Sequence, residues 1–226
     1  MSPEDARRQR LLAGAAALGV DLADAQTNRL LAYLDLLQRW NRVYNLTAVR
    51  DPDEMLVQHL LDCLAVWPPL QRQAEAQAPG QPLKLLDVGS GGGLPGVVLA
   101  ILAPAWTVTC VDTVAKKASF IRQVAGELGQ LNLKALHARV ETLSGQGVRF
   151  DLVTSRAFAS LADFVNLSAG LLAEGGVWMA MKGKSTADEQ AALPANVAVF
   201  HVEQLHVPGL DAERCLVWMQ PAPAAA

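Results

Sequence analysis

The sequence predicts an α/β fold, in which a mostly parallel sheet with helices on both faces ends in an antiparallel hairpin and follows a helical extension. Three observations support this prediction. Strand and helix patterns alternate from residue 83 onward, as in βα units with parallel strands. A glycine-rich turn joins the first strand of this region to its first helix. The last two strands follow each other without a helix between them, so they are expected to pair antiparallel.

The N-terminal third is expected to be helical. Residues 3–18 and 24–44 predict amphipathic helices, because their leucines recur at helical spacing. A third helix is expected to begin at Asp51, with Asp as N-cap and proline in the first turn, and to end near residue 67. Residues 71–82 are polar and alanine-rich and end in Pro-Gly-Gln-Pro, which favours a linker. We therefore expect a helical extension over 1–70, a linker over 71–82, an α/β domain over 83–220 and a disordered tail over 221–226.

The α/β region can be divided into elements by its hydrophobic patterns and its glycine and proline breaks. Strands are expected at residues 83–88, 107–111, 133–137, 150–154, 177–181, 196–205 and 214–220, and helices at 97–102, 114–129, 160–173 and 185–193.

The turn between the first strand and the first helix is the strongest indication of a ligand site. Four of the five residues from Gly89 to Gly93 are glycine, which permits positive φ and close approach of a ligand to the backbone. The amides that follow are expected to point out of a helix N-terminus, where the helix dipole is positive. Such a turn at the carboxyl end of a parallel strand predicts a nucleotide-type ligand.

Two ligands fit this turn. The spacing Gly91-x-Gly93-x-x-Gly96 matches the dinucleotide pattern of dehydrogenases. The register Asp87-x-Gly89-x-Gly91 instead resembles motif I of methyltransferases that use S-adenosylmethionine (SAM), in which the acid faces the methionine end of the cofactor. A dehydrogenase is expected to carry a second domain for its other substrate, and this sequence leaves no residues for one. We therefore favour SAM.

Composition limits the other possibilities. The net charge is −3, so nucleic-acid binding would require basic residues concentrated on one face. Three widely spaced cysteines without a CxxC pair indicate a reducing compartment, and no apolar run is long enough to span a membrane, so we expect a cytoplasmic protein. The histidines show no metal spacing, and no metal is predicted. His59 and Asp62 lie three residues apart, a spacing that more often gives a structural hydrogen bond than a catalytic pair.

Residues that follow the predicted strands are candidates for the site. Asp112 comes 25 residues after Asp87, close to the spacing at which an acid meets ribose hydroxyls, although it could also cap the next helix. Val140 and Glu141 follow the third strand, where methyltransferases usually line the adenine; a solvated acid in a short turn is the alternative.

Ser155 and Arg156 follow the fourth strand, at the place that faces the methyl group in methyltransferases. The Asn/Asp/Ser-Pro-Pro-aromatic motif of amino-group methylases is absent here, and no cysteine is near to serve as a nucleophile. No general base is therefore expected, and a substrate atom with a free lone pair, such as guanine N7, would need none. Basic residues that follow strands predict an RNA-binding rim; they are Lys116, Lys117, Arg139, Arg156, Lys182 and Lys184.

Together these motifs resemble the bacterial RsmG (GidB) family of 16S rRNA guanine-N7 methyltransferases, over about residues 24 to 184. The motifs that carry the resemblance are Trp40-Asn41, Tyr44-Asn45-Leu46-Thr47, Arg50-Asp51-Pro52, His59-Leu60-Leu61-Asp62, Asp87-Val88-Gly89, Gly93-Leu94-Pro95-Gly96, Arg139-Val140-Glu141, Ser155-Arg156-Ala157 and Lys182-Gly183.

The resemblance implies a class I SAM-dependent methyltransferase fold and a guanine substrate, position 527 in the 530 loop of the small ribosomal subunit. It implies that Gly89, Leu94, Val140, Glu141 and Arg156 line the SAM site, and that the basic rim and the region of Asn45 face RNA. We expect a monomer. A methyltransferase for a small molecule or a protein, and a nucleotide-binding module without catalysis, remain alternatives. The residues expected to bind the cofactor are Asp87, Gly89, Gly91, Leu94, Asp112, Val140, Glu141 and Arg156. Ser155 and Arg156 are expected to position the substrate. The residues expected to bind RNA are Asn45, Lys116, Arg139, Lys182 and Lys184.

Overall fold

A computed structural model of the chain describes residues 2–158, 160–183 and 186–223. The strands of this part of the chain have the apolar sequences that a covered sheet requires. In the first strand, four of the five residues are buried. The strands are β1 (Lys84–Val88), β2 (Thr107–Asp112), β3 (Leu133–His137), β4 (Phe150–Arg156), β5 (Leu172–Lys182), β6 (Val197–Leu205) and β7 (Arg214–Pro221).

The seven described strands form one sheet in the order β3-β2-β1-β4-β5-β7-β6. Strands β1 to β5 are parallel, whereas β7 is antiparallel to both β5 and β6. The predicted α/β class, with its terminal antiparallel hairpin, is therefore confirmed. The chain leaves β1 toward β2 on one side and returns to β4 on the other, so a topological switch point lies at the carboxyl end of β1.

Helices cover the sheet and form the extension. Their starts follow the expected capping chemistry: the Ser2 side chain forms a capping box with Asp5, and the Asp51 carboxylate accepts from the amides of Asp53 and Glu54. A π-helical segment, Leu56–Leu61, joins α3 to α4. The helices are α1 (Pro3–Ala17), α2 (Asp24–Tyr44), α3 (Pro52–Met55), α4 (Asp62–Leu64), α5 (Trp67–Gln77), α6 (Gly96–Leu102), α7 (Ala115–Glu127), α8 (Leu161–Ser168) and α9 (Ala187–Ala191).

The predicted linker over 71–82 is wrong for its first half, because α5 continues to Gln77. The two prolines at 68 and 69 were expected to stop a helix; they lie in the first turn of α5, where a missing N–H costs nothing. The extension and the sheet also share one apolar core, in which Leu34 and Leu60 pack in the same cluster as Val97. The apolar core therefore continues across the expected boundary at residue 70. The domain division stays a prediction.

Several other bounds differ from the sequence-based expectations, among them the start of β5, which lies at Leu172 and not at residue 177. The helix expected over 160–173 ends at Ser168 and continues as a 3₁₀ turn, Ala169–Leu171. Strand β4 extends through Arg156, so Ser155 and Arg156 are its last residues and not a following loop. The tail does not begin at 221, because Pro221 pairs with Val197 in the hairpin and the Ala222 amide donates to the Asn196 carbonyl at 2.8 Å. Residues 224–226 lie outside the described part of the chain.

Helix α6 packs so closely on β1 and β2 that its first residue must be glycine. A Cβ on Gly96 would lie 2.4 Å from Cys110 Sγ and 2.8 Å from Asp87 Oδ2, both on buried strands. We expect Gly96→Ala to lower the free energy of unfolding by about 1–3 kcal/mol through overpacking. The measurement is denaturant unfolding followed by circular dichroism.

Gly126 in α7 provides the control, because its Cβ would meet nothing within 4 Å. Gly126→Ala should leave stability unchanged or raise it by up to about 1 kcal/mol, since alanine is the better helix former. Equal effects of the two substitutions would show that the contact between α6 and the strands does not require glycine.

Candidate functional site

A cavity of about 710 Å³ opens at the carboxyl ends of β1, β2 and β4, at the topological switch point. Five of the residues predicted to bind the cofactor line it: Gly89, Asp112, Val140, Glu141 and Arg156. The other three are not part of its wall. Asp87 is fully buried, Leu94 is 4% exposed, and the half-buried Gly91 donates to Asp112, which lines the cavity.

The glycine turn adopts the backbone that its sequence predicts. Gly89, Gly91 and Gly93 have φ of +68°, +57° and +88°, a region that side chains with a Cβ rarely occupy. A Cβ at Gly89 would meet the ring of Phe158, which also lines the cavity, only in ordinary van der Waals contact at 3.4 Å, so the positive φ is the reason for glycine there.

Most amides of this turn are already used by the protein. Gly93 and Leu94 donate to the Ser90 carbonyl, at 2.7 and 3.0 Å, and Gly96 donates to Asp87 Oδ2 at 2.9 Å. Binding of a pyrophosphate at a helix N-terminus needs such amides free to point at the ligand. The expectation that these amides face the ligand is therefore wrong, and their occupation disfavours a dinucleotide.

Asp112 connects the turn to the cavity. Its Oδ2 accepts from the Gly91 amide at 2.9 Å and its Oδ1 from the Val114 amide at 2.8 Å, just before α7. Lys117 Nζ lies 3.9 Å from the same carboxylate. Asp112 thus supports the start of α7, as one interpretation held, while also lining the cavity.

Asp87 is buried under the turn. One oxygen accepts from Gly96, whereas Oδ1 has no hydrogen-bond partner among the described residues. Burial raises the pKa of Asp87 to about 7. The carboxyl is therefore protonated over much of the acidic range.

Arg156 is held at the edge of the cavity by the extension. Its Nη1 donates to the Gln58 carbonyl at 2.9 Å and to Asp62 Oδ2 at 3.0 Å. The other oxygen of Asp62 accepts from Arg214 Nε at 2.8 Å. Ser155 is buried in β4 and is not part of the cavity wall. The π-helical segment and α4 therefore set the orientation of two guanidinium groups.

His59 and Asp62 do not bond to each other, so the expected structural hydrogen bond between them is wrong. His59 Nε2 lies 3.0 Å from Thr47 Oγ1, in the loop after α2. Burial, with a smaller contribution from Arg156, lowers the pKa of His59 to about 4. The histidine is therefore neutral at pH 7 and ties the loop to the π-helical segment.

The residues predicted to bind RNA differ in their availability. Lys116 is exposed, and Arg139 is 74% exposed beside Glu141. Lys182 is only 11% exposed, because its ammonium donates to Glu189 at 2.7 Å. Asn45 is exposed and ends α2 in the left-handed conformation. Lys184 lies outside the described residues.

Sequence reasoning missed Phe158, Tyr33 and Arg214. Phe158 lines the cavity, Tyr33 bonds to the glycine turn, and Arg214 shares Asp62 with Arg156. Arg214 and Tyr33 come from distant parts of the chain, and no local pattern marks them. Lys117 was placed on the rim, but it also lines the cavity. Over residues 2–158, 160–183 and 186–223, no group of His, Cys, Asp or Glu could hold a metal ion, and no helix could cross a membrane.

Comparison with known proteins identifies the family. The family model of the rRNA small subunit methyltransferase G, GidB, matches residues 26–217. The chain belongs to this family. Among its relatives, the ribosomal RNA small subunit methyltransferase G of Acidovorax sp. strain JS42 is 63% identical, over 92% of both chains. The enzyme of that name from Leptothrix cholodnii is also 63% identical, over 96% of this chain and 97% of its own.

Solved structures share the fold of this GidB family member. TrmN from Thermus thermophilus superposes with a TM-score of 0.53 at 20% identity, over 74% of this chain and 53% of that chain. The T. thermophilus 16S rRNA N2 G1207 methyltransferase RsmC, solved with AdoMet and guanosine, gives 0.53 at 19% identity, over 71% and 43%. This chain spans about half the length of TrmN and less of RsmC. The expected class I fold is therefore confirmed.

The buried Asp87 of this GidB family member predicts a specific pH dependence of stability. Its pKa in the folded state, about 7, lies above the ordinary 3.8, so the folded chain retains a proton that the unfolded chain loses between about pH 4 and 7. The free energy of unfolding should fall as pH rises through this window and level off above it. Asp87→Asn removes this titration.

We therefore expect the difference in unfolding free energy between wild type and Asp87→Asn to change by more than about 1 kcal/mol from pH 4 to 7, since one pKa unit is worth about 1.4 kcal/mol. Urea unfolding at a series of pH values measures it. Parallel curves for the two proteins would mean that the Asp87 carboxyl has an ordinary pKa.

Proposed function

We propose that this protein transfers the methyl group of SAM to N7 of guanine 527, in the 530 loop of 16S rRNA. The observation that carries the proposal is the family match across residues 26–217, which spans both the extension and the cavity. The relatives named ribosomal RNA small subunit methyltransferase G share about 60% of its residues. The substrate atom and its position rest on the resemblance to the RsmG family.

The cavity fits SAM in size and in the chemistry of its wall. Its volume of about 710 Å³ falls within the range of small-molecule sites, roughly 300–1,000 Å³. In this proposal the Asp112 carboxylate accepts from the ribose hydroxyls, and Val140 and Glu141 line the adenine; all three lie in the cavity wall, which supports these roles. The occupied amides of the turn disfavour the pyrophosphate of a dinucleotide.

Asp87, Gly91 and Leu94 act on the cofactor through the turn. They are not part of the cavity wall; Asp87 fixes the Gly96 amide and Asp112 fixes the Gly91 amide. In this proposal their task is to hold the backbone of the turn in shape against the methionine end of SAM. Direct contact with the cofactor is left to Gly89 and the other residues of the cavity wall.

SAM, when bound, would supply a methyl carbon activated by its sulfonium; the in-plane lone pair of N7 would bond to that carbon as the carbon–sulfur bond breaks, S-adenosylhomocysteine would leave, and the positive charge would pass to the methylated guanine. Guanine N7 carries no proton, so the chain has no proton to remove. The residues must instead hold the two reacting atoms close and collinear, a contribution that can reach roughly 7–11 kcal/mol in model systems. Arg156, fixed by Gln58 and Asp62 at the cavity edge, is the residue we propose to orient the guanine, with the backbone at Ser155 beside it.

The RNA face is proposed to run along the rim from Lys116 to Arg139 and toward Asn45. An unpaired loop suits a cavity at the strand ends better than a duplex does, because the target base must leave its stack. Lys182 is proposed to join this face only by exchanging Glu189 for a phosphate. Lys184, two residues further, is kept in the proposal from the sequence alone.

The identity of the product tests the proposal. 16S rRNA from cells lacking the gene is incubated with the protein and SAM, then reduced and treated with aniline, which cleaves RNA at 7-methylguanosine. We expect cleavage at the 530 loop only in RNA that was incubated with both the protein and SAM. A methyl group on an exocyclic amine, a ribose or a protein would contradict the proposal.

The salt dependence of RNA binding tests the rim. We expect Arg139→Ala and Lys116→Ala each to flatten the log–log dependence of affinity on salt by about 0.7–0.9, because each loses one phosphate contact. Fluorescence anisotropy with a 530-loop RNA at several salt concentrations gives the slope. Lys84→Ala is the control, since Lys84 is an exposed lysine at the start of β1, on the opposite edge of the sheet.

Lys182→Ala separates two roles. A flattened slope supports a phosphate contact, whereas an unchanged slope leaves Lys182 as the partner of Glu189. If neither rim variant changes the slope, the RNA lies on another face.

A further inference from the structure

A buried hydroxyl of the extension bonds to the glycine turn. The Tyr33 side chain, in α2, is fully buried, and its hydroxyl donates to the Gly92 carbonyl at 2.6 Å, 59 residues away in the sequence. We propose that Tyr33 is a positioning residue for the methyl-transfer reaction, which fixes the glycine turn in the conformation that receives the cofactor. The inference rests on the proposed function, because it takes the cavity beside the turn as the SAM site.

Helix α2 contacts the chain at both ends of helix α6. Before α6 begins, Tyr33 bonds to Gly92, and a Cβ on Gly92 would lie 3.0 Å from Leu37 of α2. Where α6 ends, Gln26 Nε2 donates to the Leu102 carbonyl at 3.3 Å. The ring of Tyr33 also packs near Phe120 of α7, with centroids 6.3 Å apart. The hydroxyl therefore has a fixed position relative to the turn.

The turn needs such an outside contact because its own backbone is permissive. Gly91 and Gly93, on either side of Gly92, both have positive φ, and glycine loses more conformational freedom on ordering than any other residue. Asp112 holds the Gly91 amide, but among the described groups the buried Gly92 carbonyl is held by Tyr33. A turn ordered before the ligand arrives binds more tightly, because less entropy is lost on binding.

Tyr33 stays a donor at any working pH. Burial raises the pKa of its hydroxyl well above the ordinary value of 10. Without that donor, the buried Gly92 carbonyl would lack a partner, and the peptide would be driven to rotate toward water. Rotation of this peptide would also turn the Gly93 amide away from the Ser90 carbonyl, to which it donates at 2.7 Å, and so loosen the turn whose first residue, Gly89, lines the cavity.

Tyr33→Phe removes the hydroxyl and retains the ring. We expect it to weaken SAM binding about tenfold by calorimetry, equivalent to about 1.4 kcal/mol. In rate measurements KM for SAM should rise by a similar factor, while kcat at saturating SAM and the affinity for 530-loop RNA stay near wild type. Hydrogen exchange without SAM should accelerate in the peptide spanning Gly89 to Leu94.

Thr27→Val is the matched control. Thr27 lies on the same helix and is also fully buried, but its hydroxyl donates to the Ala23 carbonyl of its own helix at 3.0 Å. Removal of the Thr27 hydroxyl should lower the free energy of unfolding about as much as Tyr33→Phe does. It should leave the affinity for SAM and hydrogen exchange in the glycine turn unchanged. Equal effects of the two variants on SAM binding would overturn the inference, because they would indicate general loosening of α2.

The outcomes also separate this inference from the proposed function. If wild type binds SAM and Tyr33→Phe binds it equally well, Tyr33 is structural only and the inference fails alone. If wild type does not bind SAM, the proposed function fails. Exchange in the turn then still decides whether Tyr33 orders it, since that measurement uses no cofactor.

Discussion

The site depends on one constraint: the polar backbone of a glycine-rich turn must be satisfied in a mostly buried position. Glycine permits the positive φ values that the turn requires but does nothing to select them. Selection comes from side chains of three elements, with Asp87 of β1 on the Gly96 amide, Asp112 of β2 on the Gly91 amide, and Tyr33 of α2 on the Gly92 carbonyl. Asp87 and Tyr33 are fully buried, whereas Asp112 lines the cavity together with Gly89, so the turn is held both from the core and from the cavity wall.

The same constraint explains why the extension is packed as part of the α/β body. A buried carboxylate is costly unless it is paired, and Asp62 of the extension is paired with two arginines, Arg156 at the end of β4 and Arg214 at the start of β7. The extension therefore contacts the site twice, at the turn through Tyr33 and at the cavity edge through Asp62. Removal of the extension would leave both arginines without their carboxylate and the turn without its donor.

The sequence predicted what local pattern determines. Alternating βα units, the terminal hairpin and the positive φ of the glycines are properties of short segments, and each was confirmed. Sequence-based prediction failed where contacts with residues far away in the chain determine the structure. Pro68 and Pro69 were expected to end the helical region, although they lie in the first turn of a new helix, α5, which runs to Gln77. Asp87 was expected at the ligand; it is fully buried and outside the cavity wall, and its role toward the cofactor stays a prediction. Tyr33 and Arg214 have no local signal, since their roles exist only through contacts across the fold.

Several buried ionisable groups near the proposed site hold the fold in place. Asp87 accepts from the Gly96 amide under the turn, His59 is neutral and lies 3.0 Å from Thr47 Oγ1, and Asp62 is shared by two guanidinium groups. The two carboxylates that line the cavity are also engaged, Asp112 with the Gly91 amide and Glu141 with Arg139. In the proposed reaction the ring nitrogen attacks with its own lone pair and carries no proton, so the contribution left to the chain is to hold the reacting atoms in position, which rigid contacts of this kind favour.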